Sequence, residues 1–178
     1  MSAAHAALRV SMSRLDEVSE EEFVSLLSGV YEHSAWVAER AVRGRPYRTI
    51  ENLARALDHA VARARQEEQH ALICAHPELV GKLAASDAVT LESRSEQAAA
   101  GLDRSSEAQM EEMRELNRLY RERFGFPFIV AVRGLGRDEI VALLKERMKR
   151  GVGEEFEQCL LEIGKIARLR LADRISEP

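Results

Sequence analysis

Four things are scarce in this sequence, and each scarcity closes off a class of protein. Cysteine occurs twice, at Cys74 and Cys159, each inside an apolar helical pattern and far from the other. Two such residues make no disulfide framework and are expected as small core residues in a reducing, cytoplasmic setting. Long apolar runs are missing: nothing approaches the ~20 residues that span a bilayer, so no membrane partner is expected. The opening stretch MSAAHAALRVSMSRLDE is too polar and interrupted to be read as the apolar core of a secretory leader. Charge of one sign is lacking too. The net charge is −4, with Arg and Glu mixed along the chain, so no basic stripe follows a phosphate backbone and no nucleic-acid partner is expected. The cluster Arg43, Arg45, Arg48 reads as a solvated loop and helix entry. Finally, no His or Cys pair has metal-ligand spacing, and no nucleophile elbow, phosphate loop or dinucleotide fingerprint occurs.

What is present is helical pattern. A chain of 178 residues, 46% hydrophobic and 31% charged, suits one domain with a substantial core. Ser19 to Glu22 has capping-box spacing, and Phe23, Leu26, Leu27 and Val30 follow on one helical face. Ser34 is placed to cap a short helix ending near Gly44. Thr49 opens a longer one with Ile50, Leu53, Ala54, Leu57 and Val61 in a stripe. Ala71, Leu72 and Ala75 lead into His76-Pro77. After a loop around residues 81–87, Ser93 to Glu96 again has capping-box spacing, with Gly101 closing that helix. Ser105 or Ser106 starts a helix carrying Met110, Met113, Leu116 and Tyr120, stopped at Gly125. Two more hold Ile140, Leu143, Leu144, Met148 and then Phe156, Cys159, Leu160, Ile163, Ala167. The expected architecture is all-α, a single domain of about eight helices over 19–174. Residues 1–18 are expected as a flexible segment and 175–178 as a tail.

Two stretches break this grammar. In CAHPELVGK a proline follows a histidine where a helical stripe ends, which puts His76 at a helix terminus or bend. That is either punctuation or a way of aiming an imidazole. In FGFPFIVAVRG, Phe128 to Val132 is apolar and rich in β-branched residues without helical spacing: a short strand, an extended segment, or a helix start after Pro127. If it is extended and buried, its backbone groups must find partners, and a polar ligand is one possible partner.

AHPELVGK, TLESRSEQAAAGL, LNRLYRERFGFPFIVAVRG and IARLRLAD, in this order, resemble the 2-oxo-4-hydroxy-4-carboxy-5-ureidoimidazoline (OHCU) decarboxylase family. YEHSAWVAERA and RPYRTIENL fit the same pattern, so the resemblance runs from about Phe23 to Asp173. It implies an all-helical enzyme of urate breakdown that converts OHCU to (S)-allantoin and CO2. It further implies no metal, no organic cofactor and a homodimer. The chain ends Ile175-Ser176-Glu177-Pro178, without the peroxisomal tripeptide of some eukaryotic members, and a bacterial cytoplasm is the expected setting. The resemblance places the catalytic pair on His76 and Glu96. Substrate contacts fall on Pro77, on Ser93, Arg94, Ser95 and Gln97, on Phe126, Phe128, Ile129, Val130, Ala131 and Val132, and on Arg170.

These residue types suit that chemistry. OHCU carries its carboxylate one bond from a ring C=N group, so the substrate holds its own electron sink and needs none from a cofactor. The protein must orient the carboxylate toward that π-system and protonate one face of the resulting carbon. Histidine titrates near neutral pH, and a carboxylate can orient it or share the proton transfer. Which of His76 and Glu96 protonates the product carbon is open at this level. Arg170 suits either the substrate carboxylate or its carbonyl and ureido oxygens. Ser93, Gln97 and the 128–132 backbone suit the ureido group, and Phe126 an apolar wall. Outside that frame, His76 reads as a helix-end histidine, Glu96 as the third residue of a cap with Ser93, and Arg170 as a surface charge.

Overall fold

The computed structural model describes residues 9–79, 91–100, 102 and 105–177. Among them are nine α-helices and one two-stranded sheet, so the all-α expectation holds. The elements are β1 (Val10–Ser11), α1 (Met12–Glu17), α2 (Glu20–Leu26), α3 (Trp36–Ala41), α4 (Ile50–Ala62), α5 (Gln66–Cys74), α6 (Leu91–Ala99), α7 (Glu107–Phe124), α8 (Arg137–Arg147), α9 (Val152–Arg174) and β2 (Ile175–Ser176). They group into two compact units. One comprises Met1–Arg65 with Gly164–Pro178, the other Gln66–Ile163. The helical pattern of the sequence carries no trace of this grouping within the one all-α domain expected.

In the discontinuous unit, the ends of the chain differ from expectation. Val10 pairs with Ile175 and Ser11 with Ser176 in a parallel ladder, and α1 buries Met12 and Leu15. Residues 10–17 and 175–176 are therefore part of the fold rather than flexible segment and tail. The signal was present: Ser11 caps α1 by accepting from the Arg14 N–H at 3.2 Å. Ser19 and Thr49 cap α2 and α4 as their positions predict, accepting from Glu22 N–H and Asn52 N–H. Ser34 does not cap. Ala35 occupies that position, and Ser34 is instead buried with its N–H on the Tyr31 carbonyl. Arg45 is no solvated charge. It donates to the carbonyls of Val42 at 3.1 Å and Val18 at 2.5 Å, and its guanidinium lies 5.1 Å from the Phe23 ring centre. A cis peptide bond precedes Pro46, not Pro127.

The continuous unit is built on α5 to α8 and the first half of α9. Ser106 and Gln109 cap α7 reciprocally, and Gly125 ends it in the left-handed conformation, φ 80°, that glycine adopts at little cost. The chain has only five phenylalanines, and four of them gather in this unit. Tyr120 lies 4.6 Å from Phe124 and 5.3 Å from Phe128, centre to centre, and Phe126 packs edge-on to Phe156 at 5.9 Å. These spacings fall in the favourable range for tilted and edge-to-face rings. The cluster seats the segment after Gly125, which runs without helix or strand from Pro127 to Val132.

Candidate active site

His76 sits just past the end of α5, where Pro77 offers no N–H and disfavours helical geometry in its neighbour. In a continuing helix the residue-76 N–H would bond the Leu72 carbonyl. Here that N–H turns to the Ile73 carbonyl at 3.2 Å, and the imidazole takes its place: Nδ1 lies 3.0 Å from the Leu72 oxygen. A carbonyl can only accept, so Nδ1 carries the proton and the neutral ring's basic lone pair is on Nε2. The side chain is only 6% exposed. The proline thus both ends the helix and fixes the tautomer.

The segment after the histidine is held from α7. Asn117 donates from Nδ2 to the Leu79 carbonyl at 2.6 Å, and Arg121, one turn on, donates to Glu78 at 2.7 Å. Asn117 is 4% exposed, an unusual cost for an amide unless it is bonded. Further back on α5, His70 meets Phe126 edge-on at 6.2 Å, which anchors the helix to the aromatic cluster.

Helix α6 begins at Leu91, two residues before Ser93, so Ser93 and Glu96 lie within the helix rather than forming its capping box. Residues at i, i+3, i+4 and i+7 share a face. Ser93 and Ala100 are buried, Glu96 and Gln97 half-buried, and Ser95 is exposed. Ser93, Glu96 and Gln97 are thus grouped, and Ser95 is turned away from them. The side chain of Arg94, the 81–87 loop and Gly101 lie outside the described residues.

After a bend at Phe126 the chain runs extended from Pro127 to Val132, one of the three forms left open for Phe128 to Val132 by the sequence. Phe126 and Phe128 are each 2% exposed within the aromatic cluster, where Phe126 packs on protein rings. Its backbone meets buried charge. Arg147 Nη1 donates to the Ile129 carbonyl at 2.6 Å, and the Ala131 N–H donates to Glu162 at 2.9 Å. Arg147 is in turn paired with Glu155, 2.7 Å from Nε and 2.5 Å from Nη2, and its guanidinium stacks 4.6 Å from the Phe128 centre. The Tyr120 hydroxyl donates to the same Glu155 oxygen. Burial pushes the Tyr120 hydroxyl well above its ordinary value and raises the Cys159 thiol, so both stay protonated near neutral pH.

Sequence reasoning missed Asn117, Arg147, Glu155 and Glu162. A signal existed for the two acids: Glu155, Cys159, Glu162 and Ile163 fall on one face of α9, an apolar stripe interrupted twice by carboxylates. Arg147, in the charged run KERMKR, gives no such sign. Cys74 is exposed rather than in the core, because α5 turns Leu72 and Ile73 inward. Arg170 belongs to the discontinuous unit. It is 2% exposed and pairs with Glu32 at 2.8 Å while donating to the Gly29 carbonyl, a buried ion pair and not a surface one. The other expected site residues all belong to the continuous unit.

A buried histidine of fixed tautomer, a helix face bearing Ser, Glu and Gln, and a backbone segment gripped by charge are all carried by one all-helical unit. A family model described as OHCU decarboxylase matches residues 16–172. A 2-oxo-4-hydroxy-4-carboxy-5-ureidoimidazoline decarboxylase of Haloferax volcanii is 40% identical over 167 residues, 94% of this chain and 97% of that protein. The uric acid degradation bifunctional protein PucL of Bacillus subtilis is 39% identical over 94% of this chain, which spans 33% of that longer protein. A crystal structure of (S)-allantoin synthase matches 94% of this chain and 54% of its own, with TM-score 0.74 and 31% identity. The fold also matches a crystal structure of OHCU decarboxylase in the presence of (S)-allantoin, at TM-score 0.68. The chain belongs to the OHCU decarboxylase family.

Proposed function

We propose that this protein decarboxylates OHCU to (S)-allantoin, with His76 and Glu96 as the catalytic pair. The observation that carries the proposal is the Nδ1 hydrogen bond to Leu72, which makes Nε2 the basic nitrogen of a buried imidazole. In the reaction, the bond between the ring carbon and the carboxylate breaks and CO2 leaves. The freed pair forms a carbon–carbon double bond as the adjacent C=N pair moves onto nitrogen. That nitrogen takes up a proton, the ureido-bearing carbon takes another on one face, and the neighbouring hydroxyl loses its proton to become a carbonyl, so one proton is consumed overall. His76 Nε2 holds the hydroxyl proton, and Glu96 orients the ring nitrogens and shares in its return.

Ser93 and Gln97, on the face of Glu96, and Pro77 with the Phe126–Val132 backbone take the ureido and carbonyl groups. Arg94 completes the proposed contact set; Ser95, exposed on the other side of α6, and Arg170, in its buried pair with Glu32, fall outside it. The substrate's own C=N group is the electron sink, so the reaction calls for no metal or organic cofactor. We further propose a cytoplasmic homodimer. Supporting the location are free Cys74 and Cys159, and the fact that no helix among the described residues is long and apolar enough to cross a membrane.

The test generates OHCU in situ from urate with urate oxidase and hydroxyisourate hydrolase and follows the optical activity of the product. Rapid formation of (S)-allantoin is expected, falling by roughly 10²–10⁴-fold in His76→Ala, the usual worth of a general acid–base group. Racemic allantoin formed at the spontaneous rate by folded protein refutes the reading.

A further inference from the structure

The extended segment has two edges, and buried side chains occupy only one. Ile129 presents its carbonyl to Arg147, while Ala131 presents its N–H to Glu162. Both partners lie on helices packed along that edge, α8 and α9. In extended chain the N–H and C=O of one residue point to the same side, and those of the next residue to the opposite side. Phe128 and Val130 therefore turn theirs away from α8 and α9. Among the described residues those groups take no hydrogen bond, although Phe128 is 2% and Val130 8% exposed. Buried backbone groups rarely go without partners.

We propose that Glu162 and Arg147 are positioning residues that clamp the Ile129–Ala131 edge and thereby present the Val130 N–H and C=O to the substrate's ureido group. The inference rests on the decarboxylase reading above. A ureide offers N–H donors beside a carbonyl acceptor, the complement of one peptide C=O and one N–H. The clamp matters because a one-residue slip of an extended segment exchanges its two edges. Both clamping groups are themselves fixed: Glu162 accepts from Gln158 through its second oxygen at 3.0 Å, and Arg147 is held by Glu155. Two side chains that lie on other helices, and need touch no substrate, thus set which face of the segment recognises it.

The test compares Glu162→Leu, which removes the acceptor, with Glu162→Gln, whose amide oxygen still accepts from the Ala131 N–H. Steady-state kinetics on OHCU generated in situ are read beside amide hydrogen exchange at Ala131 in the full chain. Glu162→Leu is expected to raise KM about three- to tenfold with kcat within about twofold, the effect of weakened binding rather than lost chemistry. Its Ala131 amide exchanges faster. Glu162→Gln retains wild-type KM and protection. A wild-type KM in Glu162→Leu despite a deprotected Ala131, or equal losses in both variants, overturns the proposal. If leucine does not fit, Glu162→Ala is the second acceptor-less variant and carries the same expectations. Absence of turnover in the wild type sinks the decarboxylase reading instead. Exchange then decides the clamp alone: protection lost only without the acceptor supports it, and equal protection in all variants overturns it.

Discussion

Replacing Arg147 with methionine tests how much the buried charge behind the extended segment contributes. Arg147 is 3% exposed and Glu155 fully buried, and one Glu155 oxygen receives Nε, Nη2 and the Tyr120 hydroxyl together. Removing the cation leaves the Glu155 carboxylate with only the more distant Arg150 as a cationic partner, 3.9 Å from its other oxygen, a loss of about 3–5 kcal/mol for a buried pair. The Ile129 carbonyl also loses its donor, a further ~1 kcal/mol. For a chain of this size each kcal/mol moves the melting point by about 2–4 °C, so Arg147→Met should melt roughly 10–20 °C below the wild type. Adding Glu155→Leu removes the stranded charge, and the double variant should regain at least half of that drop. Thermal unfolding followed by far-UV circular dichroism reads both. A single variant within about 2 °C of wild type, or a double variant no better than the single, refutes the electrostatic reasoning.

Three further outcomes follow from other parts of the molecule. Asn117→Ala strips the Leu79 carbonyl of its buried donor and should cost about 1–2 kcal/mol and several-fold in kcat/KM; unchanged kinetics would mean that the segment after His76 holds itself. Cys159 and Tyr120 keep their protons in the folded state beyond the pH at which the unfolded chain releases them. Stability should therefore be level below the ordinary thiol value of 9.0 and fall above it; a denaturation midpoint that does not change into the alkaline range contradicts this. Ser95→Ala should leave turnover within about twofold, since Ser95 faces away from the helix face that Ser93 and Glu96 share, whereas Ser93→Ala should lower it several-fold. Equal effects of the two would show that α6 is read from the wrong side.

Much of the fold was legible because helices advertise themselves twice, in the spacing of apolar residues and in their caps. Thr49, Ser106 and Gly125 mark their helix ends where the sequence puts them. Ser34 and Ser93 carry the same type of signal and do not cap, because burial in one case and an earlier helix start in the other override the local preference. α1 was passed over because six residues give too short a stripe to show a period. At the candidate site, the His76-Pro77 break was readable from proline chemistry alone. The bond from Nδ1 to Leu72 was not, since it depends on a rotamer. Nor was the clamp on Ile129 and Ala131, which joins residues 18 and 31 positions apart: Glu162 stands out on the apolar face of α9, but nothing in the sequence says which backbone it grips, and Arg147 gives no sign at all.

The division into one continuous and one interrupted unit has a consequence for synthesis on the ribosome. β1 and the helices that follow emerge early, but the strand that pairs with β1 and the last turns of α9 come from residues 164–178. About a hundred residues separate the two portions, and at about 5–20 residues per second they take roughly 5–20 s to make. The continuous unit, residues 66–163, has all its parts first. A nascent chain stalled before residue 164 should protect that stretch from protease while the N-terminal portion stays open to cleavage, and protection of both at that length would show that the early helices close without their last strand.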